Sequence, residues 1–480
     1  MSNEDRISRL KDKVEKLNAV SPTFCTAKWL TSTTTLYNGF THSCHHPVPH
    51  KIKLEDLEKS STALHNTPTK IAARQDMLDG VQTKECDYCW NIENLGEEHF
   101  SDRHYKSANV GMGLWENFDN AVDSGLGQNI NPVYLEVAFE NTCNFKCTYC
   151  SPDVSSRWME EIVKHGGYKL ANGDNHHDLD WLRGQGKLAY HHTEVNPYID
   201  KFWEWWPELY QALHTFRITG GEPLLSKNTW RVFDYIKENP RKELKLEVNT
   251  NMGIPHKLVE KLVESINDIR EKCKGVIIFT SAESVREQAE YSRFGMDWDL
   301  YVQNISYLLD NTPSDVTLGM MTTVDLLSSE SFDDFIRFVC ALRKKYDVNR
   351  ARSRITLSVN YLRWPSHQQI TLLDDVQRKV FADKMIAVVK EMTQGGYDVN
   401  GNLYIEEVDQ INRLVDWINS TPQDTAQLAN TYSVFSEMDT RRGTDFIKTF
   451  PSLEAIWNQG KAISEQAWKP LADPVWRSKT

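Results

Sequence analysis

No stretch of this sequence is apolar for the roughly 20 residues that a membrane-spanning helix requires, so no membrane span is expected. The opening, residues 1–20, alternates charge with sparse Ile, Leu and Val, unlike the apolar core of a secretory leader. Internal repeats and low-complexity tracts are both missing, which argues against a solenoid or a disordered linker. A basic stripe is missing too. The 55 Lys and Arg are scattered against 67 Asp and Glu, and the formal charge of −12 suits neither a nucleic-acid partner nor a membrane surface. A cytoplasmic location is the expectation that remains.

What is present is a chain of 480 residues, long enough for two or three domains, with 40% apolar and 11% aromatic residues to fill a sizeable core. Nine cysteines occur. In a reducing compartment they read as metal ligands or buried apolar residues before they read as disulfides. Cys25, Cys44, Cys86 and Cys89 form one group and Cys143, Cys147 and Cys150 another, while Cys273 and Cys340 lie alone in helix-like stretches and suit core burial.

The texture changes along the chain. Residues 1–23 read as a charged N-terminal helix, and residues 24–105 as a loop-rich, cysteine-bearing module with a helical patch at 71–78. From about residue 130, β-rich apolar runs appear at 133–139, 215–219, 244–249, 276–280, 316–323 and 355–360. Helical patterns lie between most of them, at 229–238, 257–270, 298–309 and 332–346. Such alternation predicts parallel strands joined by right-handed crossovers over 130–365, either an open sheet or a partial barrel. An insertion at 166–196, rich in Gly, His and Asp, stretches the first unit. Residues 366–480 read as a helical C-terminal region, strongest at 372–392.

The first strand ends at Glu140 and runs straight into Asn141-Thr142-Cys143-Asn144-Phe145-Lys146-Cys147-Thr148-Tyr149-Cys150. A loop in this position lies at the carboxyl end of a parallel sheet, where such folds place their chemistry. A [4Fe-4S] cube needs one ligand for each of its four irons. Three thiolates therefore leave one iron open to an outside chelator. Zinc is the competing occupant, although no fourth Cys or His follows closely. The second strand leads into Gly220-Gly221-Glu222-Pro223, where two glycines allow close backbone approach to a ligand. An ordinary βα turn is the plain alternative.

The spacing C-x3-C-x2-C, with Tyr149 just before the last cysteine, resembles the signature of the radical S-adenosylmethionine (SAM) superfamily, and the resemblance spans residues 133–360. It implies an α/β fold, a partial (β/α)6 TIM-like barrel, with Cys143, Cys147 and Cys150 holding a [4Fe-4S] cluster. The open iron would chelate the methionine moiety of SAM, and one electron would cleave the sulfonium to a 5′-deoxyadenosyl radical that abstracts hydrogen from substrate. The Gly220-Gly221-Glu222-Pro223 turn resembles the family's GGEP motif, which holds the SAM amino group. Glu247-Val248-Asn249-Thr250-Asn251 is similar to the strand-end TNG motif, with the glycine delayed to Gly253. Asn251, Ser281 and Arg293 are thereby implied in SAM binding, Arg293 through the SAM carboxylate.

Cys25, Cys44, Cys86 and Cys89, with Arg74, Glu93, Gly96, Ser101 and Arg103 around them, resemble the SPASM/twitch auxiliary-cluster module. The module usually follows the barrel, and here it precedes it. Four thiolates would close a second [4Fe-4S] cluster. Zinc suits a set with a C-x2-C pair equally well, and His45 or His46 could replace a thiolate. The resemblance implies a flavodoxin- or ferredoxin-like electron donor and modification of a peptide or protein. Dehydrogenation of a sugar, an alcohol or another small molecule is the alternative, and a non-catalytic, zinc-stabilised binding protein is the alternative of another class.

Remaining features read as structure. Phe202, Trp205, Trp206 and Leu209 recur at i, i+3, i+4 and i+7, the stripe of a core-facing helix. His176, His177, His191 and His192 are expected in a solvated loop. Glu247, Asn360 and Arg363 hold strand-end positions that could face a substrate.

Overall fold

The computed structural model describes residues 3–96, 98–109, 112–123, 129–170, 177–191, 194–346, 353–399 and 401–467. Its strands are β1 (Thr31–Thr35), β2 (Phe40–His42), β3 (His50–Lys51), β4 (Tyr134–Ala138), β5 (Lys146–Cys147), β6 (Thr215–Thr219), β7 (Arg241–Asn249), β8 (Cys273–Ser281), β9 (Arg293–Phe294), β10 (Thr317–Met321) and β11 (Ile355–Ser358). The chain divides into two compact units. The first comprises Met1–Thr142, Arg183–Thr250 and Leu262–Ile278, and the second Cys143–Leu182, Asn251–Lys261 and Phe279–Thr480.

The first unit is built on strands in the order β8-β7-β6-β4-β1-β2-β3. β4 pairs in parallel with β6 from Tyr134↔Thr215 to Ala138↔Thr219, and β6 with β7 from Thr215↔Lys245 to Ile218↔Val248. Leu135, Val137, Phe216, Ile218, Leu244, Leu246 and Val248 alternate along these strands, each at most 1% exposed. This period of two puts every second side chain on the buried face. The helix Pro197–Ala212 covers part of it. Asn196 caps the helix, accepting from Tyr198 N at 2.9 Å, and Pro197 takes the first-turn position that needs no donor. Phe202, Trp205, Trp206 and Leu209 are all buried, as their spacing predicts, and the Trp206 and Phe216 rings lie 4.8 Å apart.

The region expected to be loop-rich carries β1, which the sequence reading did not identify. Its sequence, Thr-Ser-Thr-Thr-Thr, has no apolar alternation, yet it pairs in parallel with β4 along its whole length, from Thr31↔Tyr134 to Thr35↔Ala138. β-branched threonine suits a pleated strand, and hydroxyls fill the interior here. Ser32, Thr34 and Thr41 lie 3.3–3.4 Å from one another, and Lys70 Nζ donates to Ser32 Oγ at 2.9 Å and to Thr41 Oγ1 at 2.8 Å. Lys70 is buried. Burial first, and then the Arg74 charge, lower its pKa well below the usual lysine range.

In the second unit β10 pairs in parallel with β11 from Leu318↔Ile355 to Met321↔Ser358. The crossover helix Trp298–Asn311 starts at Asp297, which accepts from Leu300 N, and buries Tyr301, Ile305 and Leu308 at i, i+4 and i+7. Helices Asp375–Glu391, Ile405–Ser420, Leu428–Arg442 and Glu454–Ala467 form the helical C-terminal region. A fully buried pair ties part of it to β11. Arg343 donates to both Glu407 oxygens, at 2.9 and 2.5 Å, and Glu407 also accepts from Leu357 N and Tyr404 N. With its remaining lone pairs filled in this way, the ion pair escapes most of the penalty of burial.

The fold is thus α/β with a mostly parallel sheet. Among the described strands no closed barrel forms, since β11 and β3 each have a single neighbour. No described helix is long and apolar enough to cross a membrane. Cys273 and Cys340 are buried; Cys273, however, opens β8 instead of lying in a helix.

Candidate functional site

The three cysteines of the 143–150 loop are half-buried and form no disulfide. The backbone of this loop is held from outside. Phe145 O accepts from Ser155 Oγ at 3.0 Å, Lys146 O from Arg442 Nη1 at 3.1 Å, Cys147 O from Trp158 Nε1 at 2.8 Å, and Thr148 O from Gln368 Nε2 at 3.0 Å. Cys143 N donates to Ser156 Oγ at 3.1 Å. Ser155 is also the N-cap of the helix Ser156–His165, so one short segment both starts a helix and fixes the loop. β5, within the loop, pairs antiparallel with β9, placing Cys147 opposite Arg293.

Phe145 is the loop's anchor, 1% exposed. A Cβ at Gly253 would sit 2.2 Å from its ring, so only glycine leaves the anchor its room. The delayed glycine of the third strand therefore serves the cysteine loop directly. Asn251 closes the same corner, donating from Nδ2 to Asn144 Oδ1 at 2.7 Å and accepting from Gly253 N at 2.9 Å. Asn144 Nδ2 in turn donates to Gly253 O at 2.9 Å.

The thiols carry different electrostatic surroundings. Burial first, and then the adjacent Cys147 and Cys143 thiols, push Cys150 well above the ordinary thiol range. Burial also raises Cys147, against the opposing pull of the Arg293 guanidinium. Arg293 itself is 6% exposed at its side chain and forks onto Glu283, with Nε to Oε1 at 3.1 Å and Nη2 to Oε2 at 2.7 Å. It lies over the Tyr149 ring, 5.6 Å from the centroid. Ser281 ends β8, half-buried.

In the first unit, Gly220 and Gly221 meet protein backbone. Cβ atoms there would come within 2.6 Å of Glu140 O and 2.3 Å of Thr142 O respectively. The space that glycine provides is filled by the turn leading into the cysteine loop. Glu222 is buried; its N donates to Thr142 O at 2.7 Å and its Oε1 accepts from Leu224 N at 3.0 Å. Glu247 is buried and pairs with Lys245 at 2.7 Å.

Cys25, Cys44, Cys86 and Cys89, spread over 65 positions of sequence, line one pocket together with Lys28 and Arg103. Burial raises the Cys44 and Cys86 thiols and takes Cys89 to about 12, the neighbouring Cys25 adding to the shift. The buried Lys28 pairs with Glu85, and Arg103 forks onto Glu93 at 2.8–3.2 Å while donating to Phe24 O. Of the residues quoted around this group, Arg74 donates to Lys28 O, and Ser101 caps the helix Asp102–Ser107.

Around one zinc ion, thiolates bonded at ≈ 2.3 Å sit about 3.8 Å apart. Among the described residues, the group whose ligand atoms all fall within 4.8 Å of one another is His45, His46 and Asp102. At His45, His46 and Asp102 an ammonium is already present: Lys106 Nζ lies 3.0 Å from His45 Nδ1 and 3.5 Å from Asp102.

Other expected positions fall elsewhere. Asn360 and Arg363 are exposed, Arg363 lying over Tyr361. His177 is buried and stacked on Trp158, with 4.7 Å between centroids, whereas His191 is exposed. His176 and His192 lie outside the described residues. Sequence reasoning missed Glu283, Trp158, Gln368 and Arg442. Glu283 lies two positions beyond Ser281; Gln368 and Arg442 lie 220 and 296 residues from the carbonyls they hold, with no local signal. No family model matches the chain, and no curated protein matches it either.

Proposed function

We propose that this chain is a radical SAM enzyme. In this reading Cys143, Cys147 and Cys150 hold a [4Fe-4S] cluster with one iron left for SAM, and Cys25, Cys44, Cys86 and Cys89 hold a second, closed cluster. When bound, the first cluster and SAM supply one-electron cleavage of the sulfonium and hydrogen abstraction; the chain's own residues bind, orient and exclude water. The observation that carries the reading is a loop that bears three thiols within eight residues and has four successive carbonyls tethered from outside. Preorganisation of this kind suits a rigid multi-iron ligand.

The residues divide the work. Phe145 and Trp158, both buried, close the back of the loop to water. Asn144 and Asn251 fix its edge. On this reading the four-cysteine pocket would hold a second redox centre able to accept an electron from a substrate radical. A peptide or protein is the proposed substrate class, on the family resemblance.

The test is anaerobic reconstitution of the full chain with iron and sulfide, followed by SAM and a strong reductant. The expected result is about eight irons per chain, four for each cube, and formation of 5′-deoxyadenosine. Cys147→Ala removes one ligand and should abolish that product while retaining the second cluster's iron. Undiminished 5′-deoxyadenosine from Cys147→Ala, or zinc in place of iron and sulfide at both sites, defeats the proposal.

A further inference from the structure

Arg293 departs from the role that the family resemblance implies. A guanidinium grips a carboxylate best through two parallel N–H groups, and Arg293 spends Nε and Nη2 in that way on Glu283. Glu283 Oε2 also accepts from Thr323 N at 3.3 Å, so both partners are fixed. The edge that remains, Nη1, lies 3.8 Å from Cys147 Sγ. Backbone geometry holds it there: Cys147 and Arg293 are direct partners of the β5–β9 pair, and Thr148 N donates to Ser292 O at 2.8 Å. The Glu283 and Arg293 side chains are 1% and 6% exposed, so solvent screens this arrangement little.

We propose that Arg293 sets the reduction potential of the cluster held by Cys147, through its Nη1–H donor at the cysteine sulfur, and leaves the SAM carboxylate to other groups. The inference rests on the radical SAM reading. Reduction adds a negative charge to the cluster. A donor and a positive charge at a ligating sulfur favour the reduced state, and hydrogen bonds to the sulfurs are among the levers that set such potentials. Glu283 acts with the opposite sign and tempers the effect. Arg293 is thus a positioning and tuning residue, and its signature is electrochemical.

The experiment is an EPR-monitored redox titration of the reconstituted full chain, with SAM affinity measured by calorimetry on the same preparations. The signal surviving in Cys147→Ala is subtracted to isolate the loop cluster. Arg293→Lys keeps a charge for Glu283 but loses the fork that aims Nη1. It should disfavour the reduced state at least tenfold, a fall of about 59 mV for one electron. Glu283→Gln should move the potential upward by a similar factor. In both variants the SAM Kd should stay within twofold of the parent. Potentials unmoved in both variants overturn the proposal, as does a tenfold loss of SAM affinity in Arg293→Lys at constant potential. If Arg293→Lys fails to take up iron, the direction of the Glu283→Gln shift decides alone. Failure of the underlying reading looks different, because the parent protein would then show no reducible cluster dependent on Cys147.

Discussion

Glu161 offers the most quantitative test of how the cysteine loop is held. Its carboxylate is 2% exposed and accepts from Arg442 Nε and Nη2 at 3.2 and 3.0 Å, from Tyr168 OH at 2.5 Å and from Lys146 Nζ. Burial opposes the charge, but these donors, Arg442 foremost, prevail and hold its pKa down at about 2. Against an ordinary glutamate near 4.3, the shift is worth about 3 kcal/mol at 1.36 kcal/mol per unit. The sign follows from the depressed folded-state value. The contribution is complete above the ordinary carboxylate range and is lost as the pH falls from about 5 towards 2. Substitution Glu161→Gln removes the titrating group and leaves Arg442 buried without its counter-charge, a defect of roughly 3–5 kcal/mol. Because Arg442 also holds Lys146 O, the loss should be felt at the loop. Hydrogen exchange at the amides of residues 145–150 reads this directly. At pH 7 the variant should exchange faster by roughly two to three and a half orders of magnitude, as about 3–5 kcal/mol implies at 1.4 kcal/mol per factor of ten. Between pH 5 and pH 3 the parent should lose protection, after correction for intrinsic rates, and the variant should not. Equal protection in the two proteins at pH 7, or parallel pH profiles, would refute the clamp.

Gly221→Ala places a methyl 2.3 Å from Thr142 O, so the backbone beside the cysteine loop must move; a destabilisation of roughly 1–3 kcal/mol is expected, read as a lower melting temperature and reduced iron loading. Lys70→Met tests the hydroxyl-lined interior. The folded-state pKa of Lys70 is lowered, so its protonation costs stability below the ordinary lysine range, and that cost fades as the pH climbs through it. The variant should therefore be at least as stable as the parent at pH 7 and should lack the alkaline gain, and a melting temperature clearly below the parent's at pH 7 contradicts this account.

Periodicity made much of the architecture legible. The strand at 215–219 and the helix at 332–346 fall where the pattern puts them, because apolar side chains repeat there at the period that burial demands. β1 escaped because its buried face is made of hydroxyls, which carry no hydropathy signal. For the candidate site, spacing gathered the cysteines of the loop, and the four N-terminal cysteines do line one pocket. Spacing could not reveal that Gly220 and Gly221 make room for Glu140 and Thr142, since a glycine pair looks the same whichever neighbour it admits. Nor could it reveal Gln368 and Arg442, whose meaning exists only once distant helices have packed.

The tethers on Lys146 and Thr148 also bear on the order of events during synthesis. All seven clustered cysteines precede the donors that shape the loop, the one for Thr148 O by some two hundred residues and the one for Lys146 O by nearly three hundred. The loop thiols would thus wait untethered while those residues are still being made. Under the proposed function, delivery of iron and sulfide after Arg442 has emerged matches this timetable.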